Sequence, residues 1–330
     1  MKKHRILINH SAFLPSIADA FKKNDYALDW DNWNPPKNKL EQTQACFIWF
    51  YDILRHPFKV YRLKMKLSNY NIPLIAWNRD APHYLNRKSW RLNLFNHIHL
   101  LDIYATHTLI DSKRTFAKSV LYLPNGANIT QYNLHGNENE IFSKLRKEDH
   151  YKYDVSFFGG MDGNRYKEDK EREVFFSALA VELDQREISY QFIETGNEIM
   201  PLSQQIALIQ TSKINLNYGA RCEYNAPIAS GLPERCFGIP AVGGFLLCDK
   251  RTHTKDHFTV GEHMDEFSSI DECLLKIEQH LAKFRNLRNI AEQGYHHVMR
   301  HHTYTNRTMT LLNSIQAWHD GERGDRKSVV

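Results

Sequence analysis

Cysteine is scarce in this sequence, and long apolar runs are missing from it. The 330 residues include five cysteines, an odd number without paired metal-type spacing, so neither a disulfide framework nor a zinc cluster is indicated. No segment approaches the roughly 20 apolar residues of a membrane span. The first residues lead straight into the strand-like segment 6–9 without the apolar run of a signal peptide. These absences predict a protein of a reducing compartment, and we expect it to be cytoplasmic.

Low-complexity tracts and internal repeats are missing as well. A hydrophobic content of 42% with 12% aromatic residues can fill two cores, which favours a globular enzyme over a disordered scaffold. The chain is long for one core and sufficient for two domains of about 150 residues each. Two segments look loose: 136–150, which is polar and charged, and 320–330.

Apolar strand-like segments alternate with helix-compatible runs, as an α/β protein with parallel strands requires. The predicted strands of the first half are 6–9, 45–50, 72–77, 104–106 and 120–123, and those of the second half are 155–158, 190–194, 214–217, 245–247 and 264–267. Helices at 270–283 and 287–300 would pack on the second domain. A final helix from Thr305 would cross back to the first. The predicted fold class is therefore α/β, with two Rossmann-like sheets.

The segment from Leu232 to Asp249 is the most informative part of the chain. Glu234 and Arg235 open it, a glycine pair follows, and a buried strand closes it. Glycine lets another group approach the backbone closely, and open α/β sheets bind their ligands at the sheet edge. The combination is typical of a ligand cleft.

This segment resembles part of the C-terminal domain of the CgeB-like, spore-maturation type glycosyltransferases of the GT-B superfamily. Five further stretches match that family in the same order: 154–159, 212–217, 261–263, 290–295 and 302–307. The resemblance implies two Rossmann-like domains that face a central cleft. We accordingly divide the chain into an acceptor-side domain (1–150), a nucleotide-sugar-binding domain (151–315) and a tail (316–330).

The resemblance also implies a nucleotide-diphosphate sugar, most simply a UDP-sugar, as the donor. GT-B enzymes usually neutralise the diphosphate with arginine, lysine and helix N-termini instead of a metal, and Arg165 and Arg235 are the candidates here. Gly243 and Gly244 would let the diphosphate meet backbone N–H groups. Each arginine also has a structural alternative, which is an intradomain ion pair with Glu234 or another carboxylate for Arg235 and a solvated loop for Arg165.

No metal or other cofactor is expected beyond the donor. Asp29-Trp-Asp31 has the Asp-x-Asp spacing of metal-dependent glycosyltransferases. It precedes an Asn-Pro-Pro turn and lies outside the predicted donor domain, so we interpret it as a surface loop.

Gly238 departs from the family pattern. CgeB-like proteins usually carry a glutamate at this position, and the resemblance assigns that glutamate to the ribose hydroxyls of the donor. Glu234 lies one helical turn earlier on the same face, and we assign it as a partial replacement. The alternatives are a different or weaker donor contact, or a protein that binds without catalysis.

Asp80 and His83 are the predicted catalytic residues. They follow an apolar strand, so they should lie at the carboxyl edge of the first sheet, and the resemblance points to an aspartate at the same place. Asp80 would deprotonate or orient the acceptor hydroxyl, and His83 would hydrogen-bond the leaving phosphate. The alternative for Asp80 is a helix N-cap, since Asp before Ala-Pro is a good helix start.

Charge is distributed unevenly along the chain. Residues 1–130 carry a net charge of +10 and the remainder −5. A predicted acceptor-side basic surface consists of Arg55, Lys59, Arg62, Lys66, Arg87, Lys88 and Arg91. Clustered positive charge raises the local concentration of an anionic partner, whereas the alternative is an ordinary solvated helix face.

These features predict a glycosyltransferase that moves a sugar from a UDP-sugar to a hydroxyl of an anionic acceptor, and the resemblance implies retention at the anomeric carbon. Three hypotheses stay open for the acceptor. It is a phosphorylated or lipid-linked cell-envelope glycan, with peripheral membrane contact, or a hydroxylated base in duplex DNA, whose backbone attracts basic surfaces. In the third hypothesis the protein binds a nucleotide sugar without catalysis, so there is no acceptor.

Overall fold

The computed structural model describes residues 5–8, 15–24, 26–30, 33–79, 98–109, 117–196, 198–219 and 229–321. They form two compact units. The first unit takes its residues from 1–125 and 304–330, and the second from 126–303. The chain thus leaves the first unit after Asn125, whereas the sequence suggested a boundary after residue 150. None of the helices in the described ranges is long and apolar enough to cross a membrane.

The first unit contains a parallel sheet. Its described strands are β1 (Arg5–Ile8), β2 (Ala27–Trp30), β3 (Thr43–Trp49), β4 (Leu74–Asn78), β5 (Leu101–Thr106) and β6 (Ala117–Tyr122). They lie in the order β2-β1-β3-β4-β5-β6, and each neighbouring pair is parallel. Every residue of β4 and β5 is buried, as expected for strands covered on both faces. The interpretation of Asp29 and Trp30 as part of a surface loop is wrong, since both belong to β2.

The described helices between these strands are α1 (Pro15–Lys23), α2 (Lys37–Leu40), α3 (Asp52–Arg55) and α4 (Pro57–Ser68). A buried ion pair fixes α4 to the sheet, because Lys64 of α4 pairs with Asp102 of β5. Asp102 also accepts the Leu74 N–H at 2.9 Å and lies 3.0 Å from Lys118 Nζ. Burial lowers the pKa of Lys64, and the charge of Asp102 opposes this shift.

The second unit contains another parallel sheet. Its described strands are β7 (Tyr153–Gly159), β8 (Tyr190–Glu194), β9 (Ser212–Asn217), β10 (Leu246–Asp249) and β11 (Asp265–Phe267), in the order β11-β10-β9-β7-β8. Its helices are α5 (Glu138–Leu145), α6 (Lys170–Gln185), α7 (Leu202–Gln210), α8 (Arg235–Ala241), α9 (Ile270–Ala282) and α10 (Phe284–His301). The prediction that 136–150 is loose is wrong. Asn137 caps α5 by accepting two backbone N–H groups, and Glu148–His150 forms a 3₁₀ turn.

The last helix, α11 (Tyr304–Asp320), belongs to the first unit. It packs against α1, and its first residue places its ring 5.9 Å from that of Trp77. Arg307 Nε donates to the Asn125 carbonyl at 3.0 Å. The helix continues to Asp320, so residues 316–320 are helical, although the sequence suggested a tail from 316.

Candidate functional site

The strand order of the second unit places a crevice at the carboxyl edge of its sheet. β8 lies on one side of β7 and β9 on the other, while α6 and α9 pack on one face of the sheet and α7 and α8 on the opposite face. Open α/β sheets bind ligands outside the carboxyl ends of the strands at such a switch point. The residues there are Gly159 and Gly160, which end and follow β7, and Tyr218 and Gly219, which follow β9.

Arg172 of α6 ties the two sides of this crevice together. Its Nε donates to the Tyr218 carbonyl at 2.9 Å and its Nη2 to the Gly219 carbonyl at 2.8 Å. Its Nη1 reaches the Gly160 carbonyl at 3.4 Å. One nearly buried guanidinium therefore fixes the loops that follow β7 and β9.

Arg235, the first residue of α8, supplies a second cation. Its guanidinium carbon lies 4.7 Å from the ring centroid of Phe157 and 5.1 Å from that of Phe158. The residue as a whole is half-buried, but its Nε is fully buried and has no hydrogen-bond partner among the described residues. Gly159 makes room for it, because a Cβ there would come within 2.9 Å of Arg235 Nη2.

The electrostatics of Arg235 favour an anionic ligand. Burial, reinforced by the charge of Arg172, lowers the pKa of Arg235 to about 10, so the side chain is still charged at neutral pH. A buried charge is costly unless an opposite charge or hydrogen bonds compensate it. The predicted alternative, an ion pair with Glu234, does not form among the described contacts. An anion bound against Arg235 would supply the missing partner.

A cavity of about 180 Å³ adjoins Arg235. Its described lining comprises Tyr132, Phe158, Ile209, Glu234, Arg235, Gly238 and Ile239. The structure thus brings Glu234, Arg235 and Gly238 to one cavity. A Cβ at Gly238 would meet the Tyr132 ring at 3.6 Å, which is ordinary van der Waals contact, so the position has space for a Cβ.

A larger cleft of about 650 Å³ lies along the carboxyl ends of β9, β10 and β11, within the range of about 300–1,000 Å³ usual for small-molecule sites. Asp249 organises its floor. The carboxylate accepts Asn217 Nδ2–H at 2.8 Å and the Gly219 N–H at 3.1 Å, and pairs with Arg251 Nη2 at 3.1 Å. Arg251 in turn donates to the Gly231 carbonyl at 2.6 Å. Sequence reasoning did not single out Arg172 or Arg251 as site residues.

The predicted role of Gly243 and Gly244 is not supported by their position. Both precede β10 and therefore lie at the amino edge of the sheet, opposite the crevice. Their N–H groups already donate to the carbonyls of Pro240 and Ile239, at 2.9 and 3.0 Å. Gly243 has φ +80, which suits the turn after α8, and a Cβ at Gly244 would come within 2.5 Å of Ile209. The pair serves a tight turn and close packing, so it is not a diphosphate cradle.

Arg165 does not belong to the group of contacts described for Arg235. It is exposed on the turn after β7, where Asp162 Oδ1 accepts its backbone N–H at 3.0 Å. Its guanidinium carbon lies 5.2 Å from the Tyr166 ring centroid, and it lines neither cavity. The solvated-loop alternative describes it better.

Several predicted residues lie outside the described part of the chain: Asp80, His83, Arg87, Lys88 and Arg91. Their neighbour Arg79 is described. Its Nη1 donates to Tyr304 Oη at 3.2 Å, and its carbonyl accepts Asn125 Nδ2–H at 3.3 Å. The backbone that leads into Asp80 is therefore held where the chain leaves the first unit.

The other members of the predicted basic surface lie on α3 and α4. Arg55, Lys59 and Arg62 are exposed and Lys66 is half-buried. The Arg55 guanidinium carbon lies 4.6 Å from the Trp49 ring centroid, and Lys66 Nζ donates to Asn34 Oδ1 at 2.6 Å. Among the described residues, no group of three or more His, Cys, Asp or Glu side chains is arranged to hold a metal ion.

The sequence profile of the family described as glycosyl transferase-like matches residues 139–313, just over half of the chain. The chain belongs to the glycosyl transferase-like family. The match spans β7 to β11, the described lining of the larger cleft and, except for Tyr132, that of the smaller cavity. The narrower assignment to the CgeB-like proteins stays a prediction. A comparison with curated protein sequences gives no significant match.

Solved structures similar to this glycosyl transferase-like protein cover nearly all of it. HepE of Anabaena in complex with UDP is 10% identical with a TM-score of 0.57, and the match covers 96% of this chain and 100% of HepE. Sucrose-phosphate synthase of Thermosynechococcus elongatus is 8% identical with a TM-score of 0.62, over 96% and 100% of the two chains. A glycosyltransferase of Rickettsia africae is 12% identical with a TM-score of 0.59, over 97% and 99%. The predicted GT-B type α/β fold class is confirmed.

A cluster of histidines packs against Phe237 of α8 in this glycosyl transferase-like protein. The rings of His263 and His297 stack at 3.9 Å, and His297 Nε2 lies 3.0 Å from His302 Nε2. The His302 ring lies 5.8 Å from that of Phe237 in α8. His263 Nδ1 accepts the Thr259 N–H at 3.1 Å, which requires an unprotonated Nδ1. Burial, followed by the charge of His297, lowers the pKa of His263 below its ordinary value of 6.5.

Acidification from pH 7.5 to 5.5 is therefore expected to lower the free energy of unfolding. Below pH 6.5 the unfolded chain binds a proton at His263 that the folded protein does not bind, and each such proton contributes a slope of at most about 1.4 kcal/mol per pH unit. Asp154 and Asp265, whose pKa values are lowered from 3.8, would act only at lower pH. Urea unfolding at three pH values measures the slope, and His263→Gln should reduce it. If the free energy of unfolding of His263→Gln depends on pH as steeply as that of the wild type, the assignment of the effect to His263 is wrong.

Proposed function

We propose that the second unit binds a UDP-sugar and that the protein transfers the sugar to a hydroxyl of a cell-envelope glycan, with retention at the anomeric carbon. The observation that carries the proposal is Arg235, a half-buried cation with a buried Nε at the switch point of the sheet, which has no compensating anion among the described residues. The family match over this unit supports glycosyl transfer. HepE, similar in fold, has been solved with UDP and with UDP-glucose.

Arg235 would neutralise the diphosphate of the donor. Hydrogen bonds between charged partners are worth about 1.5–3 kcal/mol. Negative charge develops on the diphosphate as the glycosidic bond breaks, and a cation that is already fixed by Phe157 and Phe158 stabilises that charge without reorganisation. Arg172 contributes indirectly, since it fixes the loops that border the crevice.

Glu234 would hydrogen-bond the ribose. It lines the 180 Å³ cavity together with Arg235 and Gly238, where the CgeB-like resemblance implies a ribose contact. In the first unit, Asp80 would orient the acceptor hydroxyl and His83 would contact the leaving phosphate. The donor phosphate would take the proton of that hydroxyl, as retention implies in related enzymes.

Gly238→Glu is expected to raise the affinity for UDP about tenfold or more, because it places a carboxylate in the cavity assigned to the ribose, and hydrogen bonds to charged groups are worth about 1.5–3 kcal/mol. The Cβ has ordinary contact distance to Tyr132. Calorimetry with UDP measures the affinity. The matched control, Gly238→Ala, should raise helix stability by up to about 1 kcal/mol without a gain in affinity. Weaker binding by the glutamate variant would remove the ribose from this cavity.

Calorimetry of the full chain with UDP, ADP and GDP in the presence of EDTA tests the donor assignment. We expect binding of a nucleoside diphosphate, with UDP preferred, and no requirement for a metal. Release of UDP from UDP-sugars in the presence of lipid-linked glycans then separates an enzyme from a protein that only binds. A lack of affinity for all three diphosphates at millimolar concentration would contradict the proposal.

A further inference from the structure

The outer face of α4 carries three exposed apolar side chains. Phe58, Tyr61 and Met65 are 83%, 51% and 52% exposed. Their spacing of three and four residues places them on one side of the helix. Soluble proteins seldom expose large apolar groups together, and such patches mark contact surfaces.

Basic side chains are interleaved with this apolar row. Lys59, Arg62 and Lys66 come from the same helix, and Arg55 ends α3, two residues before α4 begins. Residues 53–68 contain no aspartate or glutamate. The outer face of α4 therefore combines apolar and positively charged side chains and carries no acidic one.

The opposite face of α4 packs in the core of the first unit, so the exposed apolar side chains are not core residues turned outwards. Val60, Leu63 and Leu67 are buried in the first unit. Lys64 is held in the buried ion pair with Asp102. The apolar row thus projects from a fixed helix.

We propose that this face of α4 docks on the surface of an anionic lipid bilayer. Helices with a basic polar side and Phe, Trp or Leu on the other lie in the plane of the interface, where apolar groups enter the headgroup boundary and cations meet anionic lipids. A nucleic acid would attract the same cations through its phosphates. It would not explain the exposure of Phe58 and Met65, which a bilayer would bury.

Docking would place the first unit, which we propose receives the acceptor, at the membrane surface. The inference extends the proposed function by naming the surface at which the acceptor is met. It rests on α4 alone and not on the donor site. Vesicle binding and UDP binding can therefore fail independently of each other.

Sedimentation of the full chain with vesicles of phosphatidylcholine, with and without 30% phosphatidylglycerol, tests the proposal. We expect binding to the anionic vesicles, weakened by salt, and little binding to neutral ones. Each basic residue near an anionic surface contributes about fivefold to the affinity, so reversal of Lys59, Arg62 and Lys66 to Glu should lower it by two orders of magnitude or more. Phe58→Ser with Met65→Ser should lower it at least tenfold.

Matched controls lie on the second unit. Ile199→Ser with Val174→Ser changes two side chains that are 93% and 59% exposed, and Lys152→Glu with Lys283→Glu and Arg285→Glu reverses three exposed charges. Both sets should bind vesicles like the wild type. All variants should keep the wild-type urea midpoint and UDP affinity.

Two outcomes would overturn the inference. One is a lack of binding to anionic vesicles at low salt. The other is a charge-reversal effect without any effect of Phe58→Ser and Met65→Ser, together with duplex DNA binding of steep salt dependence, which would assign the surface to a nucleic acid.

Discussion

Arg235→Met is expected to weaken UDP binding by about ten- to 150-fold, which corresponds to the loss of one or more charge-assisted hydrogen bonds. The side chain lies against Phe157 and Phe158 with its Nε buried. The neighbouring guanidinium of Arg172 is already bonded to the carbonyls of Gly160, Tyr218 and Gly219, so it is not expected to replace Arg235. Calorimetry with UDP measures the loss.

The same substitution is expected to raise the free energy of unfolding of the ligand-free protein by about 1 kcal/mol or more. Arg235 is a half-buried charge with a buried Nε and lacks a compensating anion among its described neighbours, so an apolar side chain removes its desolvation cost. Methionine keeps the length of the side chain and makes favourable contacts with aromatic rings. A residue whose charge serves ligand binding and not folding should show this combination: its apolar variant is more stable but binds UDP more weakly.

Arg165→Met is the matched control for this experiment. Arg165 is an exposed arginine of the same unit, and its replacement should change neither quantity appreciably. Arg235→Lys should retain part of the affinity, because it keeps the charge but loses the planar fork that matches phosphate. If Arg235→Met binds UDP normally and unfolds more easily, Arg235 is a structural residue and the diphosphate lies elsewhere.

Continuous apolar segments made most of the fold predictable. The segments 45–50 and 72–77 became β3 and β4 with shifts of one or two residues, because strands buried on both faces show their pattern directly in the sequence. β2 was missed because it is a short edge strand that contains Asp29. α5 was missed because only Phe142 and Leu145 of its residues are buried, too few to give a clear helical period.

The site was less predictable than the fold. Arg235 was found because it opens a motif, whereas the glycine pair was misassigned because it precedes its strand. In a parallel sheet the residues that directly follow a strand lie at the carboxyl edge, whereas those that directly precede one lie at the amino edge. Arg172 reaches Tyr218 across 46 positions of sequence, and no local spacing predicts a contact of that kind.

Asp80→Asn is expected to lower turnover by about two orders of magnitude or more while UDP affinity stays unchanged. Asp80 follows β4 by two positions, and Arg79 is held by Tyr304 and Asn125 at the end of that strand. The carboxyl ends of parallel strands form the ligand-binding edge of such sheets. Asparagine has nearly the size of aspartate but carries no charge, so it accepts a weaker hydrogen bond from the acceptor hydroxyl and orients it less firmly. Release of UDP from a UDP-sugar, measured with an accepted glycan, reports turnover.

The choice of asparagine separates catalysis from helix capping. Asn and Asp are about equally good N-caps, so Asp80→Asn should leave the urea midpoint unchanged if Asp80 only starts a helix, and turnover would then be that of the wild type. Asp80→Ala removes both roles and should cost about 0.5–2 kcal/mol of stability if the cap exists. A variant Asp80→Asn that turns over normally while Asp80→Ala is destabilised would leave Asp80 as a cap, and the acceptor would have to be oriented by another residue at this edge.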